Sequence, residues 1–167
     1  HRQICFAELN NHTFPWSHFF NHIFLCDKKY SDIAGETNIT SGSAFFINNQ
    51  GNLLTNNHVV DGCVQSKINY FKEEYDAKLV ATDKNLDLAL LKVNVKNENY
   101  IEITDKTVKK MQSIIAAGCP HLHLSDDLKF TSGIISSLKG IGNNTALVQI
   151  DAALNPGNSG GPIIDKE

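Results

Sequence analysis

Short apolar runs, each closed by a turn rich in Asn, Asp, Gly or Lys, indicate an all-β fold from about residue 42 onward. Residues 43–47 and 53–55 are the first two runs, and the Asn-Asn-Gln-Gly-Asn segment between them is typical of a β-hairpin. Many short strands at this spacing favour a barrel or a sandwich over a βαβ fold. The same pattern predicts further strands over residues 64–71, 77–81, 88–93, 113–117, 130–138, 146–150 and 161–164.

Length and charge limit the organisation of the chain and the class of its partners. The 167 residues, 41% of them hydrophobic, suit one globular domain or two small subdomains that share a core. The formal net charge of -3 offers no electrostatic footprint for nucleic acid. No apolar run approaches the roughly 18–20 residues that cross a bilayer, so we expect no membrane span in this chain.

Residues 1–38 follow a different pattern and are predicted to form an aromatic-rich N-terminal extension. Residues 16–26 are compatible with a short helix that has Pro15 at its first turn. Its apolar face either packs on the domain's own surface or is buried in a neighbouring subunit, and the sequence leaves both open. His18 and His22 would lie one helical turn apart, as some metal ligands do, but no third ligand is evident and no metal is expected.

The four cysteines, Cys5, Cys26, Cys63 and Cys119, are not spaced as a zinc site. Four cysteines allow three complete pairings, and sequence does not choose among them. A disulfide between Cys5 and Cys26, which flank the aromatic-rich segment, is one alternative if the chain matures in an oxidising compartment.

The segment Asn-Pro-Gly-Asn-Ser-Gly-Gly-Pro, residues 155–162, surrounds one serine with glycines. Glycine permits sharp backbone turns, so the hydroxyl of Ser159 can be held at an exposed point. In that geometry the N–H groups of Gly157 and Ser159 can point at one position, as an oxyanion hole requires. Taken alone, the segment could equally be a solvated loop between two strands.

Two further polar residues lie at the ends of apolar runs. His58 follows the run that ends in Thr-Asn-Asn, where an imidazole could point into a cleft and exchange a proton near neutral pH. Asp87 lies at the entry to the almost fully apolar run 88–91, so its carboxylate needs a hydrogen-bonding partner such as an imidazole N–H. The alternatives are a surface histidine and a turn aspartate, a role that suits Asp83 better.

The order His, Asp, Ser and the flanking residues resemble the HtrA/Deg family of trypsin-like serine proteases. The resemblance is carried by Thr-Asn-Asn-His-Val-Val at 55–60, Asp-Leu-Ala-Leu-Leu-Lys-Val at 87–93 and Asp-Ala-Ala-Leu-Asn-Pro-Gly-Asn-Ser-Gly-Gly-Pro at 151–162. It covers roughly residues 40–164. It implies two antiparallel β-barrels of the chymotrypsin type with the active site between them. The domains expected are the extension 1–38, a first barrel 39–93, a connector 94–110 and a second barrel 111–167 that lacks its last strands.

The resemblance also implies the site. His58 would be the general base, Asp87 its orienting carboxylate and Ser159 the nucleophile, without a cofactor. The N–H groups of Gly157, Asn158 and Ser159 would form the oxyanion hole. Ala153 falls where the base of the specificity pocket is expected, so no carboxylate waits there for Lys or Arg, and small or medium aliphatic residues are expected before the scissile bond.

The family's biology is likewise an expectation. It implies an endopeptidase that degrades misfolded or unfolded proteins in the bacterial periplasm or an organelle lumen. Relatives form trimers through N-terminal segments, so a homotrimer is expected, and aromatic residues available for it here are Phe14, Trp16, Phe19 and Phe20. The alternative is a catalytically silent, protease-like domain that binds extended peptides as a chaperone or scaffold.

Overall fold

The structure is a computed structural model that describes residues 6–8, 24–33, 36–71, 73–119, 128–155 and 157–165. These residues form a mostly β structure, as the pattern of short apolar runs predicts. Helical geometry is confined to α1 (Asn57–Val60) and a 3-10 turn (Ile141–Asn143), so no helix in the described ranges could span a membrane. The strands are β1 (Phe6–Glu8), β2 (Phe24–Ile33), β3 (Glu36–Phe46), β4 (Asn52–Asn56), β5 (Gln65–Tyr70), β6 (Glu73–Asp83), β7 (Leu88–Lys92), β8 (Glu102–Ile103), β9 (Ser113–Gly118), β10 (Lys129–Ser137), β11 (Gln149–Ile150) and β12 (Ile163–Asp165).

Six strands close into a barrel in the order β2-β3-β4-β7-β6-β5. The hairpin predicted at Asn48–Asn52 joins β3 to β4, and the Asn48 side chain accepts hydrogen bonds from the backbone of Gln50 and Asn52. Alternation along β4 and β7 sends Leu53 and Leu91 into the barrel core, where both are fully buried. The apolar faces of these short strands therefore pack together inside the closed barrel.

The second sheet has the strand order β11-β10-β9-β12-β1-β8 and is open at β11 and β8. Its pairs are antiparallel except β1 with β12, where Phe6 lies opposite Ile163 in parallel register. Ile114, Ile135 and Ile163 form its buried core. Within the described residues this half of the fold is thus an incomplete barrel.

The N-terminal prediction needs correction. Residues 24–26, predicted as the end of a helix, lie in β2, which forms ten pairs with β3 and also pairs with β5. Pairing with strands outside the segment provides backbone hydrogen bonds that a local helical pattern does not predict, and it overrides that pattern. The first barrel consequently begins at residue 24 rather than 39. Residues 9–23, with Phe14, Trp16, His18, Phe19, Phe20 and His22, lie outside the described residues.

A small apolar cluster joins the two halves. Phe45 of β3 packs with Ile115 of β9, Ile164 of β12 and Ile101, and all four are buried. Ile101 belongs to the predicted connector, and its N–H donates to the Phe46 carbonyl at 2.9 Å. This packing sets β3 of the barrel against β9 and β12 of the open sheet, and the candidate site lies along that contact.

The structure limits the cysteine pairings that the sequence left open. Cys119 is in a disulfide and Cys63 is not, so the partner of Cys119 is Cys5 or Cys26. A Cys5–Cys26 disulfide is therefore wrong. The reason is that Cys119, at the end of β9, lies next to Ser43 of β3, although the two residues are far apart in sequence.

We expect Cys26 to be the partner of Cys119. Cys26 lies opposite Ser43 in the β2–β3 register, and the Cys119 N–H donates to the Ser43 hydroxyl at 2.9 Å. Digestion under non-reducing conditions followed by mass spectrometry should yield a Cys26–Cys119 cross-linked peptide, unchanged by the control Cys63→Ser. A Cys5–Cys119 peptide would contradict the prediction.

Candidate active site

His58 and Asp87 are brought together at the end of β4. His58 lies in the single turn of α1, and its Nδ1 is 2.6 Å from Asp87 Oδ2. The His58 backbone N–H also donates to Asp87 Oδ1 at 2.8 Å, so both carboxylate oxygens face one residue. The imidazole side chain is 50% exposed, and the contact with Asp87 does not use its Nε2. The pairing predicted from sequence is present in the geometry.

The backbone of Asp87 is also held by hydrogen bonds. Asp87 has a left-handed φ of 47°, and its carbonyl accepts the N–H of Asn57 at 3.0 Å. The same carbonyl accepts the side-chain amide of Asn56 at 2.9 Å. These bonds orient the turn before β7, so that the carboxylate of Asp87 faces the imidazole of His58.

Asn56 also reaches the nucleophile turn. It is 3% exposed, and its Oδ1 accepts the N–H of Gly160 at 2.6 Å. One buried amide therefore connects the carbonyl of Asp87 to the residue that follows Ser159. This links the predicted base and its carboxylate to the predicted nucleophile through protein atoms.

The turn around Ser159 depends on a glycine. Gly160 has a φ of +87°, and a Cβ there would overlap the Ser43 carbonyl oxygen. The peptide between Ser159 and Gly160 is fixed on both sides, because its carbonyl accepts the Ser43 N–H at 2.7 Å and its N–H is bound to Asn56. The predicted role of this glycine-rich segment as a sharp turn fits the geometry.

The peptides next to Ser159 also form hydrogen bonds within the turn. The Asn158 N–H donates to the Asn155 carbonyl at 3.1 Å, and the Asn158 carbonyl accepts the Gly161 N–H at 3.0 Å. Since its N–H is used inside the turn, Asn158 does not fit the role of a third oxyanion donor. Within the described residues, neither Gly157 nor Ser159 donates its N–H to a backbone carbonyl, so these two N–H groups stay compatible with the predicted role of oxyanion donors.

Gly42 allows the two halves of the site to approach each other. A Cβ on Gly42 would lie 2.8 Å from both γ carbons of Val59 and 3.0 Å from the Ser159 carbonyl oxygen. Val59 is the neighbour of His58 in α1. The backbone of β3 at Gly42 thus lies between the helical turn that carries His58 and the turn that carries Ser159.

A small cleft lies beside Ser159, and the described residues that line it carry no charge. Its lining combines apolar side chains, among them Ala116, Leu154 and Ile163, with the polar side chains of Asn56 and Asn158. Ala153 is exposed and does not line this cleft; its carbonyl accepts the hydroxyl of Thr131 at 2.8 Å. In the described ranges no three His, Cys, Asp or Glu side chains lie close enough to hold a metal ion.

Three polar residues that were not predicted from the sequence as site residues are buried here: Ser43, Thr55 and Asn56. The Thr55 hydroxyl donates to the Ser43 carbonyl at 2.7 Å, so these residues form a connected network beneath the nucleophile turn. A signal was available: a small polar residue inside or at the end of an apolar run needs a buried partner. Ser43 and Asn56 bind Gly157 and Gly160, more than a hundred residues away in sequence, so the pattern could not identify these partners.

Comparison with known proteins gives a consistent result. The family of trypsin-like peptidase domains matches residues 42–167. A probable periplasmic serine endoprotease, DegP-like, from Marinomonas sp. is 40% identical over 131 residues, covering 74% of this chain and 27% of the relative. The serine endoprotease from Yersinia pestis superposes with a TM-score of 0.70 at 27% identity, covering 93% of this chain and 55% of that one. The HtrA-type protease AlgW, solved with a tripeptide, gives a TM-score of 0.67 at 31% identity over 86% of this chain and 47% of that one.

These matches confirm the expected fold, since the solved neighbours are HtrA-type and related serine endoproteases. The chain spans about a quarter of the curated relative and about half of each solved protein. The similarity therefore concerns the peptidase portion of longer proteins.

Proposed function

Because the chain belongs to the trypsin-like peptidase family, in its HtrA/Deg group, we propose that the protein is a serine endopeptidase that uses Ser159, His58 and Asp87. The observation that carries the proposal is the 2.6 Å contact between His58 Nδ1 and Asp87 Oδ2, which lies beside the Ser159 turn. It fixes the imidazole with Nε2 directed away from the carboxylate. That arrangement is what a general base for a serine hydroxyl needs.

The proposed reaction has two halves. In the first, Ser159 Oγ attacks the carbonyl carbon of a peptide bond while its proton passes to His58 Nε2. The C–N bond then breaks, and His58 returns the proton to the leaving amine, which leaves an acyl ester on Ser159. In the second half, His58 takes a proton from water, the hydroxide attacks the ester, and the released Ser159 oxygen recovers the proton.

Negative charge develops on the substrate carbonyl oxygen in each half, and the proposal assigns the N–H groups of Gly157 and Ser159 to it. The support is that neighbouring groups of the turn already form hydrogen bonds. The Gly157 and Ser159 carbonyls accept from Ser43, the Asn158 N–H donates to Asn155, and the Asn158 carbonyl accepts from Gly161. Donors fixed before the reaction need no reorganisation when the charge appears, and each is worth about 10²–10³ in kcat.

The proposed specificity is for small or medium aliphatic residues, such as Val, Ala or Leu, before the scissile bond. Its support is the sequence position of Ala153, six residues before Ser159, where a trypsin-like pocket would carry its charged base, although Ala153 lies outside the uncharged cleft beside Ser159. A peptide library read by mass spectrometry should show cleavage after Val, Ala or Leu at least about tenfold faster than after Lys or Arg. The matched variant Ala153→Asp should raise cleavage after Lys or Arg. Rapid cleavage after Arg by the unaltered protein would contradict the assignment.

We place the activity on unfolded or misfolded proteins in the periplasm or another oxidising, exported compartment. The compartment is supported by the Marinomonas relative, a probable periplasmic serine endoprotease, and by the disulfide at Cys119. The proposed substrates follow from the resemblance to the HtrA/Deg family. Assembly as a homotrimer through the N-terminal segment stays a prediction, because Phe14, Trp16, Phe19 and Phe20 lie outside the described residues.

The proposal is tested by fluorophosphonate labelling followed by intact-mass spectrometry. A single adduct that is absent from Ser159→Ala is the expected result, because only a hydroxyl activated by a base reacts readily with this probe. No adduct on the folded protein would overturn the proposal, and the non-catalytic peptide-binding alternative would replace it.

A further inference from the structure

Ser43 is fully buried in β3, although it is polar, and it contacts the nucleophile turn at two points. Its hydroxyl donates to the Gly157 carbonyl at 2.7 Å, and its backbone N–H donates to the Ser159 carbonyl at 2.7 Å. The residue therefore contacts the turn on both sides of Asn158. No other residue in the described part of the chain binds both carbonyls.

The direction of the Ser43 hydroxyl proton is set by a third bond. The Cys119 N–H donates to Ser43 Oγ at 2.9 Å, so that oxygen acts as an acceptor there and its single proton is left for Gly157. The Ser43 carbonyl is bound in turn by the Thr55 hydroxyl. Backbone and side chain of Ser43 are thus fixed before they contact the turn.

Gly157 is the residue in this turn that most needs such a restraint. It has a φ of 97°, and a glycine rotates its flanking peptides at little steric cost. Rotation of the peptide between Gly157 and Asn158 would break the bond to Ser43 and the bond from Asn158 to Asn155. The Gly157 N–H, one of the two proposed oxyanion donors, belongs to the preceding peptide, so a change in ψ of Gly157 would also change its orientation relative to the Ser159 N–H.

We infer that Ser43 is a positioning residue for catalysis: its hydroxyl holds the Gly157 peptide so that the oxyanion donors are aligned before substrate binds. The inference rests on the proposed function. Ser43 does not touch the reacting atoms, and it acts through the turn. Because the oxyanion exists only in the transition state, the effect belongs in kcat rather than in substrate affinity.

The test compares two variants that change volume in opposite directions. Ser43→Ala removes the hydroxyl and a little volume, whereas Ser43→Thr keeps the hydroxyl and adds a methyl group in a strand, where Thr is favoured. With a quenched-fluorescence peptide that contains Val before the scissile bond, Ser43→Ala should lower kcat about 10²-fold and change KM less than about threefold. Ser43→Thr should retain kcat within about tenfold of the unaltered protein.

Two controls separate positioning from a general loss of stability. Ile68→Val truncates another fully buried residue, in the core of the first barrel, and should lower the Tm without lowering kcat. In a Ser159→Ala background, adding Ser43→Ala should leave the Kd of the same peptide unchanged, as measured by fluorescence anisotropy.

The outcomes are distinct. Equal losses of kcat in Ser43→Ala and Ser43→Thr would mean that packing matters and not the hydroxyl, and would overturn the inference. An unchanged kcat in Ser43→Ala would overturn it as well, while leaving the proposed function intact. If the unaltered protein shows no turnover that depends on Ser159, the proposed function fails, and the role of Ser43 fails with it.

Discussion

Ser159→Ala is expected to lower kcat for peptide hydrolysis by about 10⁶ while the fold is retained. The variant removes the only proposed nucleophile, so no acyl ester can form. The bonds that shape the turn come from backbone atoms of Ser159 and Gly160, to Ser43 and Asn56, and a methyl group in place of the hydroxyl leaves them intact. The loss should appear in initial rates of casein degradation, with an unchanged Tm measured by circular dichroism.

Ser136→Ala is the matched control for this substitution. Ser136 is an exposed serine on β10, and its replacement should change neither the rate nor the Tm. A Ser159→Ala protein that keeps more than about one-hundredth of the rate would contradict the assignment of the nucleophile. Casein binding without cleavage by the unaltered protein would instead favour the scaffold alternative.

The predictable part of the fold comes from local pattern. The runs at 64–71, 88–93 and 113–117 were predicted to be strands and lie over β5, β7 and β9. In β5 and β7 the buried residues alternate, whereas β9 is a continuous apolar run buried from Ile114 to Gly118. Both patterns can be recognised without knowing the partner strand. The hairpin turn after β3 was predictable for the same reason, since its Asn and Gly residues act within a few positions.

The N-terminal strands were not predictable in this way. β2 pairs with β3, its neighbour in sequence, but it also pairs with β5, and β1 joins β12 from the far end of the chain. Aromatic residues before residue 24 gave a local helical pattern that continued into β2. Non-local ladders decide such segments, and a single sequence carries little signal for them.

The same distinction between local pattern and non-local contact applies to the candidate site. The sequence pointed to His58, Asp87 and Ser159 because each has distinctive neighbours, and the structure brings His58 and Asp87 into direct contact. It did not point to Asn56 or Ser43, whose importance arises only from bonds made across the two halves of the fold. A polar residue within an apolar run therefore indicates a hydrogen-bonding partner elsewhere in the fold.

Asp87→Asn is expected to lower kcat by about 10⁴ without loss of the fold. Asp87 has a left-handed φ of 47°, a conformation that Asn adopts readily, so the backbone and its carbonyl bonds to Asn56 and Asn57 should persist. The change falls on the side chain, where Oδ2 lies 2.6 Å from His58 Nδ1.

The physical reason is the histidine tautomer. An aspartate accepts from both the backbone N–H and the ring N–H of His58, whereas an asparagine has one acceptor oxygen and one donor NH₂ group. If the amide oxygen keeps the backbone N–H, the NH₂ faces Nδ1 and favours the tautomer with the proton on Nε2. That tautomer cannot accept the proton of Ser159. ¹⁵N chemical shifts of the His58 ring should report the change directly.

Asp83→Asn is the matched control, since Asp83 lies four residues earlier and is exposed. Its Oδ1 accepts the N–H groups of Asn85 and Leu86, both at 2.9 Å, and an asparagine oxygen can accept both equally well. We expect Asp83→Asn to keep the full rate. If Asp87→Asn kept a kcat within about tenfold of the unaltered protein, the carboxylate would not orient the base, and the contact with His58 would be structural only. A large loss with an unchanged Tm and a shifted tautomer would support its proposed catalytic role.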